Sequence, residues 1–288
     1  MITFFIDTNI WNYLIDSQYY TENQLVQVKK MLINGIEDQR WEVVCSLTVC
    51  QEILATYSQN TQKFNDMCDL LFKFVGKHWI LPFEERYILE FNRGRVLNST
   101  ERFLNRKRRK EIEKLIKNKI NIININEIAH ETRVYSKEQK ETAKKNIYKE
   151  LGSSDGKKLK NSGKLYEDWF RYNRNLSGWV YESLKQNVHS GLLKESQIKD
   201  FTLTKDNVPS LWQYFDFYQA KAKVILGEKQ KILESDDVDN DIYGCNSYYD
   251  VLITEDKKFS KIISGLNVDV EFEVQNFKQF MQQFGVIN

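Results

Sequence analysis

Ile2-Thr3-Phe4-Phe5-Ile6-Asp7-Thr8-Asn9 is the stretch on which the fold turns. Its short apolar run reads as a buried strand, Asp-Thr-Asn breaks that run, and residues 10–15 begin a helix. A strand that gives way directly to a helix is the opening of a parallel α/β sheet, because parallel neighbours need a crossover. The alternation then recurs. Leu25, Val28, Leu32 and Ile36 mark a helix over 23–36 that ends near Gly35, and 41–45 reads as a second strand. Ser46 caps a helix whose face is Val49, Ile53 and Tyr57. Residues 61–75 form another amphipathic helix, and 78–81 a short strand before Pro82. Near the far end, 239–249 suits a helix, 251–254 a strand, 256–263 a helix, 268–272 a strand and 276–284 a closing helix.

Between these halves the character changes. We expect residues 1–81 and 229–288 to make one α/β domain, with a central, mostly parallel sheet flanked by helices. Residues 82–228 read as a large, polar, mostly α-helical insertion, with a flexible stretch at 152–163 and an alternating Ile/Asn run at 120–128 that suits a strand. The net charge of +2 hides an asymmetry: residues 93–160 hold 20 Lys/Arg and 9 Asp/Glu, leaving the remainder acidic. A basic surface set against an acidic remainder points to a polyanionic partner. Arg102 and the run Arg106, Lys107, Arg108, Arg109 and Lys110 are the candidate substrate-binding cations; the plainer reading of such a run is a solvated helix face.

Composition narrows the class. With 288 residues, 41% apolar and 28% charged, the chain is that of a globular protein, and no apolar run reaches the ~18 residues that a membrane span needs. Asp7 interrupts the first apolar run and no basic lead precedes it, so we expect no signal peptide. Four scattered cysteines fit neither a disulfide framework nor a zinc site, which makes a reduced, cytoplasmic protein the expectation.

In an open parallel sheet, functional groups collect at the carboxyl ends of the strands. Asp7 follows the first strand, Glu52 lies in the helix after the second, Asp239 starts the helix leading into 251–254, and Asp256 lies just past that strand. Carboxylates gathered at one edge repel each other and resist desolvation, a problem that a hard, oxygen-preferring Mg²⁺ or Mn²⁺ ion removes. An ion held in that way activates water and stabilises charge at a phosphodiester, so no nucleophilic side chain is required. This suits a chain with three histidines, none spaced as a ligand pair.

The same residues resemble the motifs of the PIN-domain nucleases. FFIDTNIW looks like the first motif, CSLTVCQEIL like the second with Ser46 leading to Glu52, and DNDIYGCNSYYDVLITEDKKF like the last two. The resemblance covers about half of the chain and implies a metal-dependent nuclease with Asp7, Glu52, Asp239 and Asp256 as catalytic and metal-binding acids. Asp241 competes with Asp239 for the third position; Asp239 is preferred because it places Ile242 and Cys245 on a buried face. Thr8, Asn9, Ser46 and Thr254 are supporting residues, and Thr254 is expected to orient Asp256. Most bacterial relatives of this kind resemble toxin or defence endoribonucleases, so RNA is the expected substrate, with single-stranded or structured DNA the alternative. An inhibitory antitoxin, an activating partner and a homo-oligomer are compatible with the resemblance, as is a non-catalytic nucleic-acid-binding module. A phosphohydrolase with a carboxylate nucleophile usually wants a second acid two residues after the first, and Asn9 stands there.

Overall fold

The computed structural model describes residues 1–16, 18–57, 60–117, 184–185, 191, 193–198, 203–214, 216–217, 220, 241–264 and 272–287. The chain divides into two compact units, one of Met1–Pro82, Leu97–Glu131 and Cys245–Asn288, the other of Phe83–Val96 and Thr132–Gly244. The stretch 97–131, expected in the insertion, thus falls with the first unit.

The first unit is built on four parallel strands. β1 (Ile2–Ile6) runs into α1 (Thr8–Asp16); α2 (Glu22–Glu37) leads to β2 (Trp41–Val44), followed by α3 (Leu47–Tyr57) and α4 (Thr61–Val75). After α5 (Phe83–Arg93), which belongs to the second unit, come α6 (Arg106–Lys117), β3 (Val251–Ile253), α7 (Lys257–Ser264), β4 (Glu273–Gln275) and α8 (Phe277–Gln283). The strand order is β2-β1-β3-β4. Phe4 is in register with Val43 on one side and Val251 on the other, and Leu252 with Val274. The central strands are apolar because helices cover both faces of a parallel sheet. Phe4, Phe5, Ile6, Val43, Val44, Leu252 and Ile253 are all buried.

Local chemistry sets the helix ends. Thr21 and Gln24 form a capping box at α2, and Asn276 and Gln279 another at α8. Gly35 does not end α2, which continues to Glu37. A Cβ at Gly35 would stand 2.1 Å from the Trp41 ring, so the glycine is there to let that indole pack. Residues 268–271 of the strand expected at 268–272 lie outside the described residues; the strand that follows them, β4 at Glu273–Gln275, pairs with β3. The expected 78–81 strand is reduced to bridges, Cys45 with Trp79 and Ile80 with Phe103. Glu42 is held by His78 at 3.1 Å and Arg102 at 3.3 Å; hydrogen bonding from His78, aided by its charge and that of Arg102, keeps the Glu42 carboxyl below its ordinary range.

In the second unit, Tyr87, Ile88 and Phe91 of α5 pack with Leu184, Leu193, Ile198, Val208 and Leu211. Among its described residues, 83–93, 195–198, 209–214 and 241–244 are helical. The 120–128 run and the 152–163 stretch lie outside the described residues. Among the described residues, no helix is long and apolar enough to cross a membrane.

Candidate functional site

All four strands run the same way, so their carboxyl ends share one edge of the sheet. Asp7 leaves β1 at that edge. Its amide donates to the Ile253 carbonyl at 3.0 Å, and its own carbonyl accepts from Ile10 and Trp11, so the residue both ends the strand ladder and opens α1. The side chain is 8% exposed. Oδ1 accepts from the Thr8 amide at 2.6 Å; Oδ2 accepts from the Thr254 hydroxyl at 2.7 Å and from Asn9 Nδ2 at 3.5 Å.

Burial pushes the Asp7 carboxyl up to about 6. The bonds from Thr254 and Thr8 oppose that rise, whereas the Glu52 and Asp256 charges add to it. The three carboxylates are therefore electrostatically in touch. Glu52, on the second turn of α3, accepts from the Thr8 hydroxyl at 2.7 Å, and the Ser46 hydroxyl caps that helix by accepting from the Val49 amide at 3.3 Å. Asp256 caps α7 through Oδ1, which accepts from the amides of Lys258 at 2.7 Å and Phe259 at 2.8 Å.

Thr254 joins the pieces. Its hydroxyl donates to Asp7 and accepts from the Asp256 amide at 3.0 Å, so it touches the Asp256 backbone while its proton serves the Asp7 carboxylate. The hydroxyl hydrogen bond expected between Thr254 and Asp256 is made with the Asp256 backbone, and the hydroxyl proton goes to an acid 247 positions away.

The other expected site residues lie elsewhere. Asp239 lies outside the described residues. Asp241 belongs to the second unit, where it pairs with Arg86 at 3.4 Å. Arg102 is matched with Glu42 and lies over the Phe103 ring. Arg106, Lys107, Arg108, Arg109 and Lys110 open α6, whose first turn has no acid; Asn105 caps it by accepting from the Arg108 amide at 3.0 Å, and Arg109 reaches Glu113 at 3.8 Å.

Among the described residues, no group of three or more His, Cys, Asp or Glu stands close enough to hold a metal ion. In kind, the donors at the sheet edge fit a hard divalent cation: they are carboxylate and hydroxyl oxygens around an acid that burial and two like charges make costly to ionise. Comparison with protein-family models, with curated proteins and with solved structures finds no match.

Proposed function

We propose that this chain is a metal-dependent nuclease with a PIN-like core, cutting RNA first and single-stranded DNA second. The observation that supports it best is the buried Asp7 at the carboxyl edge of a parallel sheet, raised to about 6, with Thr254 and the Thr8–Glu52 pair arranged around it.

In this reading Asp7, Glu52 and Asp256 would hold Mg²⁺ or Mn²⁺. When bound, such an ion lowers the pKa of water and offsets the charge that develops on a phosphodiester. The protein's own contribution is positional. Thr254 and the Thr8 amide each hold one of the two Asp7 oxygens, fixing the carboxylate before any ligand arrives. Thr8 anchors Glu52, and the α7 cap fixes one oxygen of Asp256. Partners of this second layer typically matter about 10–100-fold in metal affinity or activity. The products would be a 5′-phosphate and a 3′-hydroxyl.

The test is cleavage of labelled single-stranded RNA, single-stranded DNA and duplex DNA by wild type and Asp7→Asn, with Mn²⁺, Mg²⁺ or EDTA. The expected result is metal-dependent cutting that the substitution removes. Equal binding with no cutting by either protein would overturn the nuclease and favour a module that only binds.

A further inference from the structure

A cleft of about 510 Å³ opens beside the candidate centre, lined by Thr254, Lys257, Lys261, Val274, Asn276 and Gln279. Its size suits one nucleotide-sized ligand rather than a single ion. Thr254 belongs both to this cleft and to the Asp7 site.

Two cations stand against one acid, Glu255, in its walls. Lys257 and Lys261 stand one turn apart on the same face of α7, and both are exposed. Asn276 Oδ1 already accepts from the Gln279 amide, and Gln279 Oε1 accepts from the Asn276 amide. The capping box therefore consumes the two carboxamide oxygens and turns their NH₂ groups outward. Glu255 also lines the cleft, and one of its oxygens accepts from the Phe277 amide at 3.0 Å. Two ammonium groups and two carboxamide NH₂ groups make a wall of donors, which matches a ligand of acceptors such as a phosphodiester.

Glu255 is linked through the Phe277 amide to a group of aromatic rings. Glu255 acts electrostatically on both Tyr13 and Tyr20, which places those phenols close by. Tyr20 packs edge-on to Phe277 at 5.1 Å, Tyr13 meets Tyr20 at 5.8 Å, and Tyr19 packs edge-on to Tyr13 at 5.6 Å. Phe277 is buried and anchors the group, whereas Tyr19 is 77% exposed, the most exposed large aromatic side chain among the described residues. An exposed aromatic ring is a place for an unpaired base to stack. A base inside a duplex has no free face to offer.

We propose that the α7–α8 cleft and the neighbouring tyrosines form a subsite for single-stranded nucleic acid, with backbone phosphate on Lys257 and Lys261 and an unpaired base on Tyr19. This deepens the nuclease reading and rests on it for the reaction, but not for the binding. Neither lysine carries the chemistry, and the basic run of α6 is a separate surface on a different helix.

The experiment uses the full chain carrying Asp7→Asn in EDTA, so that binding is read without cutting. Fluorescence anisotropy follows short labelled oligouridine, oligothymidine and a blunt DNA duplex. Tyr19→Ala is expected to weaken single-strand binding about tenfold without changing its salt dependence, and Tyr19→Phe to bind as the parent does. Lys257→Ala with Lys261→Ala is expected to weaken it about tenfold and to flatten the salt slope by ~1.4, about 0.7 for each phosphate no longer neutralised. Either strand, RNA or DNA, serves as evidence for the subsite. Unchanged binding in these variants, equal losses on the duplex, or no single-strand binding at all would overturn it. Weakened binding in the variants beside a wild type that never cuts would leave the subsite standing and remove the nuclease. Cutting by wild type beside variants that bind normally would do the reverse.

Discussion

Two clusters of buried polar residues, one in each unit, solve the same problem in opposite ways. In the second unit Arg86 and Glu90 are wholly buried. The Arg86 guanidinium donates to the Ser210 hydroxyl at 2.7 Å and to Asp241 at 3.4 Å, while Glu90 accepts from the Ser210 hydroxyl at 2.6 Å and the Ser210 amide at 2.9 Å. Acids and base are interleaved, and each of the three charged groups bonds inside the cluster. At the sheet edge of the first unit, the charges that bear on Asp7 are those of Glu52 and Asp256, both negative. Hydrogen bonds from Thr8 and Thr254 are left to hold the carboxylate. The buried cluster of the second unit carries its own cation, whereas the Asp7 edge is held by hydrogen bonds against like charges.

The largest effect should come from unbalancing the matched cluster. Arg86→Met would leave buried acids without their cation and should cost about 3–5 kcal/mol in urea-induced unfolding. A wild-type midpoint would mean that Arg86 is not what balances Glu90 and Asp241.

Next is the pH dependence of Asp7. Its folded pKa of about 6 lies above the ordinary 3.8, so the native state binds more protons between those values and stability falls as pH rises through the window. About two pK units correspond to ~3 kcal/mol between pH 4 and pH 7 in the metal-free protein. Urea melts in EDTA should show that fall in wild type and lose it in Asp7→Asn. Added Mn²⁺ should restore stability at neutral pH if the edge takes up a cation.

Thr254→Val keeps the shape of the side chain but removes the donor to Asp7. Its expected cost is ~10–100-fold in cleavage, with the acid limb of the pH profile moved upward because a bond that lowered the Asp7 pKa is gone. An unmoved profile would mean that Thr254 serves only the backbone of Asp256. The smallest effect separates cap from charge. Asp256→Ala should cost ~1 kcal/mol of stability, whereas Asp256→Asn, an equally good cap, should cost a few tenths at most. If Asp256 also holds the metal, Asn would preserve the fold and still abolish cleavage.

What the sequence displays is governed by distance along the chain. The Phe4–Phe5 strand, the Ser46 and Asn276 caps and the Thr61–Val75 helix are local patterns, and the structure contains each of them. The position of β4 is not legible in the same way, because Glu-Val-Gln is a half-exposed edge strand of three residues, whereas the preceding Val-Asp-Val-Glu-Phe alternates better. Gly35 looks like a helix stop until Trp41 is packed against it. The partners that decide the sites are longer-range still. Arg102 meets Glu42 across 60 residues, Arg86 meets Asp241 across 155, and Thr254 meets Asp7 across 247. No periodicity reports such pairs. The Lys257 and Lys261 spacing is readable, but its meaning depends on the α8 cap beside it.

The four cysteines, too few for a scaffold, give the first unit a chemical clock. Cys45, Cys50, Cys68 and Cys245 are all reduced and buried, all belong to that unit, and burial pushes the Cys50 thiol well above its ordinary range. A thiol reagent can reach them only when the sheet and its helices open, so the labelling rate measures how often that happens. The second unit, from Phe83–Val96 and Thr132–Gly244, has no cysteine and is silent to the reagent. Opening of the first unit can therefore be timed in the intact chain, without a tag and without interference from the rest.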